Sequence, residues 1–471
     1  MIVIVGAGLA GLAAGQKLME AGQEDFIILE AQNYIGGRIK TKYLGDGFRI
    51  DLGAQWLHGG ATNPIYRWLL SKNLINGPDW REVKIPGLFV TQQGKRAPLE
   101  IVDSVLNAAS ETRKLLRTFY PHGPLNGSDI QRIFFRGTSH ICNQGLSNVE
   151  REIALATGYW FELQEAVNHS CENLGDLSFR AYPLGPFSNW GDFDGSFVVG
   201  LRGGWQSVVD HLVQSIGRRK VFLSSPVESI SYTQKSANVL LANGLEIECD
   251  HVLVTISVGS FKHISIQNFT WRTIEEPFGS NMPSFGPAAK IFLEFDRPLL
   301  QEEKGIKLLW TDDANDKDDL PLWTRDMTGF DVVLGAPNVL LVWVGRSGAL
   351  EAEKCSDVEA GQICLKVLET FLPNREIPNL ISVTKSEWSS NKYIRCANSY
   401  KSIGDDMSHD TTNLWEPICV DDLAAPGKIP RILFAGEATV GMYATAHGAI
   451  ISGWMEAANI LKCCCKRRGR H

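Results

Sequence analysis

Apolar residues open the chain as an unbroken run, Ile2–Val5, and recur as a second run at Phe26–Leu29. Between the runs the spacing turns helical, with Ala10, Ala13, Ala14 and Leu18 on one face. Short continuous runs suit strands buried on both faces of a parallel sheet, so the pattern predicts strand, helix, strand. Gly6, Gly8 and Gly11 fill the first turn as G-x-G-x-x-G, and Glu30 ends the second strand. Gly6 permits a tight turn, Gly8 lets backbone approach a pyrophosphate, and Gly11 allows close helix–strand packing. The helix N-terminus offers N–H groups and a positive dipole end to phosphates. Glu30 is spaced to accept ribose hydroxyls. Together these predict a dinucleotide cradle, with FAD or NAD favoured over a 2′-phosphorylated cofactor.

Further along, Gly36 and Gly37 form a second flexible turn, and Arg38 is placed to meet phosphate from outside the first loop. A helix is predicted to begin near Asn63–Pro64. From about Asn76 to Val199 the organisation changes: paired short strands around Gln93–Gly94 precede helical stretches, as in inserted material covering a pocket. The segment FVVGLRGGWQSVVDHLVQSI then marks a return to the first domain, followed by successive strands with a hairpin at Asn243–Gly244. Val227 in this region reads from sequence as strand core. In PAAKIFLEF, Ile291, Leu293 and Phe295 share one side of a strand, and Lys290, Phe292 and Glu294 the other. A lysine on a ligand-facing strand side is unusual, since lysines are normally solvated. The last glycine-rich stretch supplies Gly436, Glu437 and a helix start near Gly448–Ala449, a second opportunity for phosphate or ring binding. Glycine-rich contacts at opposite ends of the chain imply a fold closed around a long cofactor, which suits FAD better than NAD.

Composition changes this picture little. The 471 residues, 44% hydrophobic and 21% charged, are those of a folded globular protein with two interleaved domains. A net charge of -7 gives the whole chain no nucleic-acid footprint. Ten cysteines include no C-x-x-C pair with metal-ligand spacing, and His169, Cys171 and Glu172 are too crowded for a metal site, so no metal is expected. The residues DDANDKDD read as an acidic exposed loop without calcium-loop spacing. No stretch is long enough for a transmembrane span and no signal peptide is visible, so a cytoplasmic location is expected. Cys463, Cys464 and Cys465 lead into a basic end, Lys466–Arg468, expected to be unstructured and solvated.

The combination of GAGLAG, Glu30, GGR at 36–38, LGAQWLHG at 52–59, PAAKIFLEF at 287–295, Trp388 and LFAGEAT…HGA resembles the flavin-containing amine oxidase superfamily, most of all its polyamine oxidases, the spermine and N1-acetylpolyamine oxidases. The resemblance runs from the first strand to the final helix. It implies α/β and α+β architecture: a Rossmann-like FAD-binding domain (1–75, 196–260 and 384–462) interleaved with a mixed-sheet and helical substrate-binding domain (76–195 and 261–383), and a tail at 463–471. It also implies noncovalent FAD. Gly6, Gly8, Gly11, Gly37 and Arg38 would serve the phosphates, Glu30 the ribose and Val227 the adenine. Gly436 and Glu437 would meet the ribityl–pyrophosphate region, and Thr445, Gly448 and Ala449 the flavin end. Lys290 would hold a water near flavin N5, Trp388 would contact the isoalloxazine, Tyr443 would line the amine site and His58 its polar entrance. The implied reaction oxidises the carbon beside a secondary amine to an imine, hydrolysed to an aldehyde and a shorter amine, while O2 becomes H2O2.

Several positions depart from the polyamine oxidase pattern, and they bear on the amine rather than the cofactor. Asn398 stands where an aromatic commonly walls the amine site, and Tyr400, two residues on, need not fill the same volume. Asn189 replaces a glutamate that meets the distal amine in spermine oxidases. Cys396 stands at a glycine position, Asn391 and Lys392 bring no proline before Tyr393, and the usual histidine after Thr439 is missing. The alternatives are a monoamine-type oxidase, which attaches FAD through a cysteine, and a catalytically weak FAD-binding scaffold that engages a partner protein.

Overall fold

The computed structural model describes residues 1–45, 47–58, 63–75, 81–82, 87–119, 145–178, 197–267, 284–311, 319–402, 415–421 and 427–468. Ile2–Val5 lies inside a six-stranded sheet, ordered Ile418–Asp421, Lys428–Phe434, His251–Val254, Ile2–Val5, Phe26–Leu29 and Val221–Phe222. All neighbours run parallel except Ile418–Asp421, which is antiparallel to Lys428–Phe434. The first strand is buried along its length because its two sides meet different layers. Ile2 and Ile4 join a core with the helices Leu9–Glu20, Gly204–Ile216 and Ala446–Arg468. Val3 and Val5 face a four-stranded sheet ordered Glu246–Cys249, Ala237–Leu241, Val227–Tyr232 and Ser265–Ile266. The predicted hairpin is present, with Gly244 at φ +85 and the Asn243 Oδ1 accepting from Leu245 N at 3.1 Å.

Helices Leu9–Glu20 and Ala446–Arg468 touch backbone to backbone. A Cβ on Gly453 would stand 2.1 Å from the Ala10 carbonyl oxygen, so glycine there sets the separation of the two helices. The C-terminal helix also corrects the expectation of an unstructured tail. It runs through Cys463–Cys465 to Arg468, because Leu461 and Cys464 still pack against the helical core. Among the described residues, no helix is long and apolar enough to cross a membrane.

A second six-stranded sheet, ordered Leu380–Lys385, Ala289–Phe295, Ala336–Val344, Met327–Val333, Gly305–Leu309 and Leu88–Thr91, joins strands from both sides of the Rossmann return. Only Leu88–Thr91 pairs in parallel. The predicted alternation in Ala289–Phe295 holds, but both faces are buried. Ile291, Leu293 and Phe295 meet the helices Arg346–Lys354 and Asp357–Phe371, while Phe292 packs with Leu52, Leu341 and Trp388. Helices Leu99–Phe119 and Asn148–His169 form a third core with Phe89 and Leu309. Ser147 and Glu150 close the start of the latter as a capping box. The helix predicted near Pro64 spans Pro64–Ser71, with Asn63 Oδ1 capping Ile65 N. The acidic stretch at 312–318 and the Asn189 segment lie outside the described residues.

Candidate active site

The parallel strands end at one crevice, where Val5, Gly6, Thr255 and Ala435 line a cavity of about 1490 Å³. Ligands of open α/β sheets bind outside the carboxyl ends of their strands. This volume exceeds the roughly 300–1,000 Å³ of ordinary ligand pockets, as one chamber for a dinucleotide and a substrate requires.

At the cofactor end Gly6 takes φ +108, which few other residues tolerate, and turns the chain from strand into helix. A Cβ on Gly8 would meet nothing within 4 Å, so this residue faces open cavity at the helix N-terminus. Gly11 does not line the cavity, and its Cβ would fall 2.0 Å from the Gly6 carbonyl oxygen. Its role is contact, as the spacing predicts, although the contact is with the turn itself. Gly37 (φ +61) brings the second glycine turn against Gly8 Cα, and Gly36 bridges to Gly8. Glu30 lines the same wall, its two oxygens accepting from Ala7 N at 2.7 Å and Gln32 N at 2.9 Å. Burial pushes its carboxyl upward while those N–H donors oppose the shift. Val227 is both strand core and cavity wall.

Arg38 sits between the two ends of the chain. Its Nη1 donates to Glu437 Oε1 and to the Ala397 carbonyl, each at 3.0 Å, and burial costs this cation less because Glu437 neutralises it. Glu437 Oε2 accepts from Ser399 Oγ at 2.5 Å and Ala444 N at 2.7 Å. Gly436 (φ +150) has open space where a Cβ would be. Thr445 caps the last helix by accepting from Gly448 N at 3.0 Å, and Thr445 and Ala449 line the cavity while Gly448 does not. A Cβ on Gly448 would come 2.3 Å from the Met442 carbonyl, so that glycine supports the turn.

Lys290 is 2% exposed and lines the cavity. Its Nζ donates to the carbonyls of Gly53 (2.8 Å) and Asp51 (2.9 Å), with Gln55 Oε1 at 3.4 Å. Burial draws the ammonium down to about 7, and Asp51 partly opposes that. Trp388 lies beside the same segment, its indole N–H donating to Leu52 O at 3.2 Å. A Cβ on Gly53 would stand 1.7 Å from the Arg38 carbonyl, so the loop can thread between Arg38 and Trp388 only with glycine there.

The amine-side predictions fare unevenly. His58 is half-buried and lines the cavity. Asn398 also lines it, and its Oδ1 accepts from Ser170 Oγ. Tyr400 packs instead with the helical core around Trp160, so it does not replace the missing aromatic wall. Tyr443, expected in the amine site, is buried and is not a lining residue. The turn with Ala444 at φ +60 presents Ala444 to the cavity in its place. Asn189 lies outside the described residues.

The structure adds residues that the sequence did not single out. His447 lines the cavity at 1% exposure, and burial beside His58 lowers its imidazole to about 3, so it is neutral at working pH. It belongs to the HGA motif, the available signal. Arg113 and Glu165, on separate helices, form an ion pair at the cavity wall beside Gln164 and Asn168. Trp343 faces Lys290 across the sheet, and only strand register reveals it.

Paired glycine turns at the carboxyl ends of a parallel sheet, sharing one chamber with a buried lysine, have the form of a dinucleotide-binding fold. The sequence pattern of the family described as "Flavin containing amine oxidoreductase" matches residues 9–461, and the chain belongs to that family. It is 27% identical to the peroxisomal N(1)-acetyl-spermine/spermidine oxidase of Homo sapiens, over 98% of this chain and 94% of that protein. It is also 27% identical to polyamine oxidase 1 of Zea mays, over 99% and 91%. A solved putrescine oxidase variant shares the fold, with a TM-score of 0.66 and 20% identity across 98% of both chains.

The cofactor is therefore FAD, and the open positions at Gly8 and Gly436, the helix N-terminus and the Glu30 carboxylate fit it. Cys396 is buried with its Sγ 3.0 Å from Ser257 Oγ, and among the described residues no cysteine lines the cavity, in keeping with noncovalent binding.

Proposed function

We propose that this protein oxidises a polyamine at a carbon beside a secondary amine, with an N-acetylated polyamine preferred over free spermine. The product imine is hydrolysed to an aldehyde and a shorter amine. Bound FAD would supply the two-electron acceptor and pass the electrons to O2, giving H2O2. Likeness to polyamine oxidases over nearly the whole chain supports the substrate class.

One observation carries the preference for an acetylated substrate. Among the described residues, each carboxylate lining the cavity already has a partner: Glu30 has two backbone N–H groups, Glu437 has Arg38, Glu165 has Arg113, and Asp331 has Lys307 at 2.5 Å. A second ammonium would meet carboxylates whose charge or lone pairs are already partly engaged and so gains less from them, whereas an acetamide needs only a donor for its carbonyl. Arg113 bonds Glu165, and the amides of Gln164, Asn168 and Asn398 bond Asn168 Oδ1, Glu165 and the Ser399 carbonyl. A guanidinium nevertheless carries five N–H groups and each amide two, so this wall has donors to share with an acetamide.

This chain's own groups divide the remaining work. The buried Trp388 and the neutral His447 leave Lys290 as the charged group on their part of the wall, and an apolar surface beside a cation favours the neutral form of the amine. Lys290 holds a proton at Nζ on that wall.

Anaerobic flavin reduction by N1-acetylspermine, spermine, spermidine and a simple monoamine tests this reading. The acetylated amine is expected to react fastest. Arg113→Met, which strips Glu165 of this cation, is expected to shift the kcat/KM ratio toward spermine by about tenfold, an energy of about 1.4 kcal/mol. A monoamine reacting fastest would assign the chain to the monoamine type, and no reduction by any amine would leave an FAD-binding scaffold.

A further inference from the structure

Strands Ala289–Phe295 and Ala336–Val344 pair in a register that sets Lys290 opposite Trp343. The Lys290 Nζ lies 4.6 Å from the centroid of the Trp343 ring, and both side chains line the cavity. On its other sides the nitrogen meets the oxygens of Asp51, Gly53 and Gln55. An ammonium has a donor for each of these, whereas a neutral amine must turn its lone pair toward one of them. The Gln55 contact, at 3.4 Å, is the longest and the one a cavity water can most easily take over. The indole face adds an attraction that depends on the charge of the nitrogen and not on the direction of its protons.

Other ionisable groups near this strand leave the indole a distinct part. Asp51 acts on Lys290 through its charge and is itself engaged by Thr41 Oγ1 at 2.6 Å, with Arg49 beside it. Lys385, on the other neighbouring strand, is turned to Glu387 and the Glu353 carbonyl. Strand Ala336–Val344 carries no ionisable side chain. Its contribution to the charge state of Lys290 is therefore the ring alone.

We infer that Trp343 is a positioning residue that keeps Lys290 an ammonium and holds its Nζ at the cavity wall. The inference rests on the reading that Lys290 faces the bound flavin, and it adds a residue that sets the pH range over which that lysine stays charged. Burial lowers the proton affinity of Lys290 and the ring raises it, so removing the ring moves the titration to lower pH.

Holoenzyme carrying 13C at lysine Cε reports the titration without substrate, the Lys290 resonance being assigned by its loss in Lys290→Met. In Trp343→Leu the midpoint is expected to fall by about one pH unit, an approximately tenfold change in the protonation equilibrium. Trp343→Phe, with a weaker ring face, is expected to fall in between. A wild-type midpoint in the leucine variant, or a phenylalanine variant displaced as far as leucine, would overturn the inference. Should the leucine variant not hold FAD, Trp343→Phe and Trp343→Tyr decide the matter, with unshifted midpoints in both counting against it. No amine enters this measurement, so an amine panel that fails while the midpoint still shifts removes the substrate reading alone.

Discussion

Gly8 and Gly11 belong to one motif but meet opposite surroundings. A methyl group added at Gly8 enters open cavity, whereas at Gly11 it collides with the Gly6 carbonyl. Gly8→Ala is therefore expected to fold with stability within about 0.5 kcal/mol of wild type. The same change should weaken FAD about tenfold or more if the phosphates lie where the Gly8 turn expects them, because its methyl would then stand in their place. Gly11→Ala is expected to cost about 1–3 kcal/mol of stability as the turn is pushed off the helix. Denaturant melts of the apoprotein and flavin titrations separate the two outcomes. Such roles were legible before any coordinates, since the motif dictates a turn, an open approach and a contact. Tyr443 was not legible, because side-chain direction within an irregular turn depends on a backbone angle, here that of Ala444, which no periodicity encodes.

At the scale of elements, the two helices that bracket the chain are the tightest junction. Gly453 stands against the Ala10 carbonyl, so Gly453→Ala must separate helices Leu9–Glu20 and Ala446–Arg468. The expected cost is about 1–3 kcal/mol, read in denaturant melts of the apoprotein. FAD affinity is expected to fall as well, because the first helix carries the cradle at its N-terminus. Strand and helix identities followed from apolar spacing where runs were long, as in Ile2–Val5 and Ala289–Phe295. Register did not follow. Lys290 and Trp343 meet because two strands align in one of several registers, all compatible with fully apolar faces. Asn398 and Tyr400 show the same limit: two residues apart on one strand, one lines the cavity and the other joins a helical core.

The molecule as a whole is joined through its cavity. Residues from the first turn, from Arg38, from Lys290 and from Gly436–Ala449 line one chamber between two sheets that have separate cores. A ligand touching all of them stabilises the native state by mass action. FAD at a thousand times its dissociation constant is expected to add about 4 kcal/mol. Thermal melts of apoprotein against FAD concentration check this, and a midpoint independent of FAD would contradict a cofactor bound across the chamber.

The sequence by itself determined the dinucleotide cradle, the glycine positions and the family, because the first two depend on local backbone geometry and the family on short motifs that follow one another in order along the whole chain. The tertiary structure alone decided that Arg38 meets Glu437, that Glu165 is neutralised by Arg113, and that Lys290 is ringed by carbonyls and an indole. Those contacts join residues far apart in the chain, and their energies depend on burial and register, which exist only once the sheets have packed.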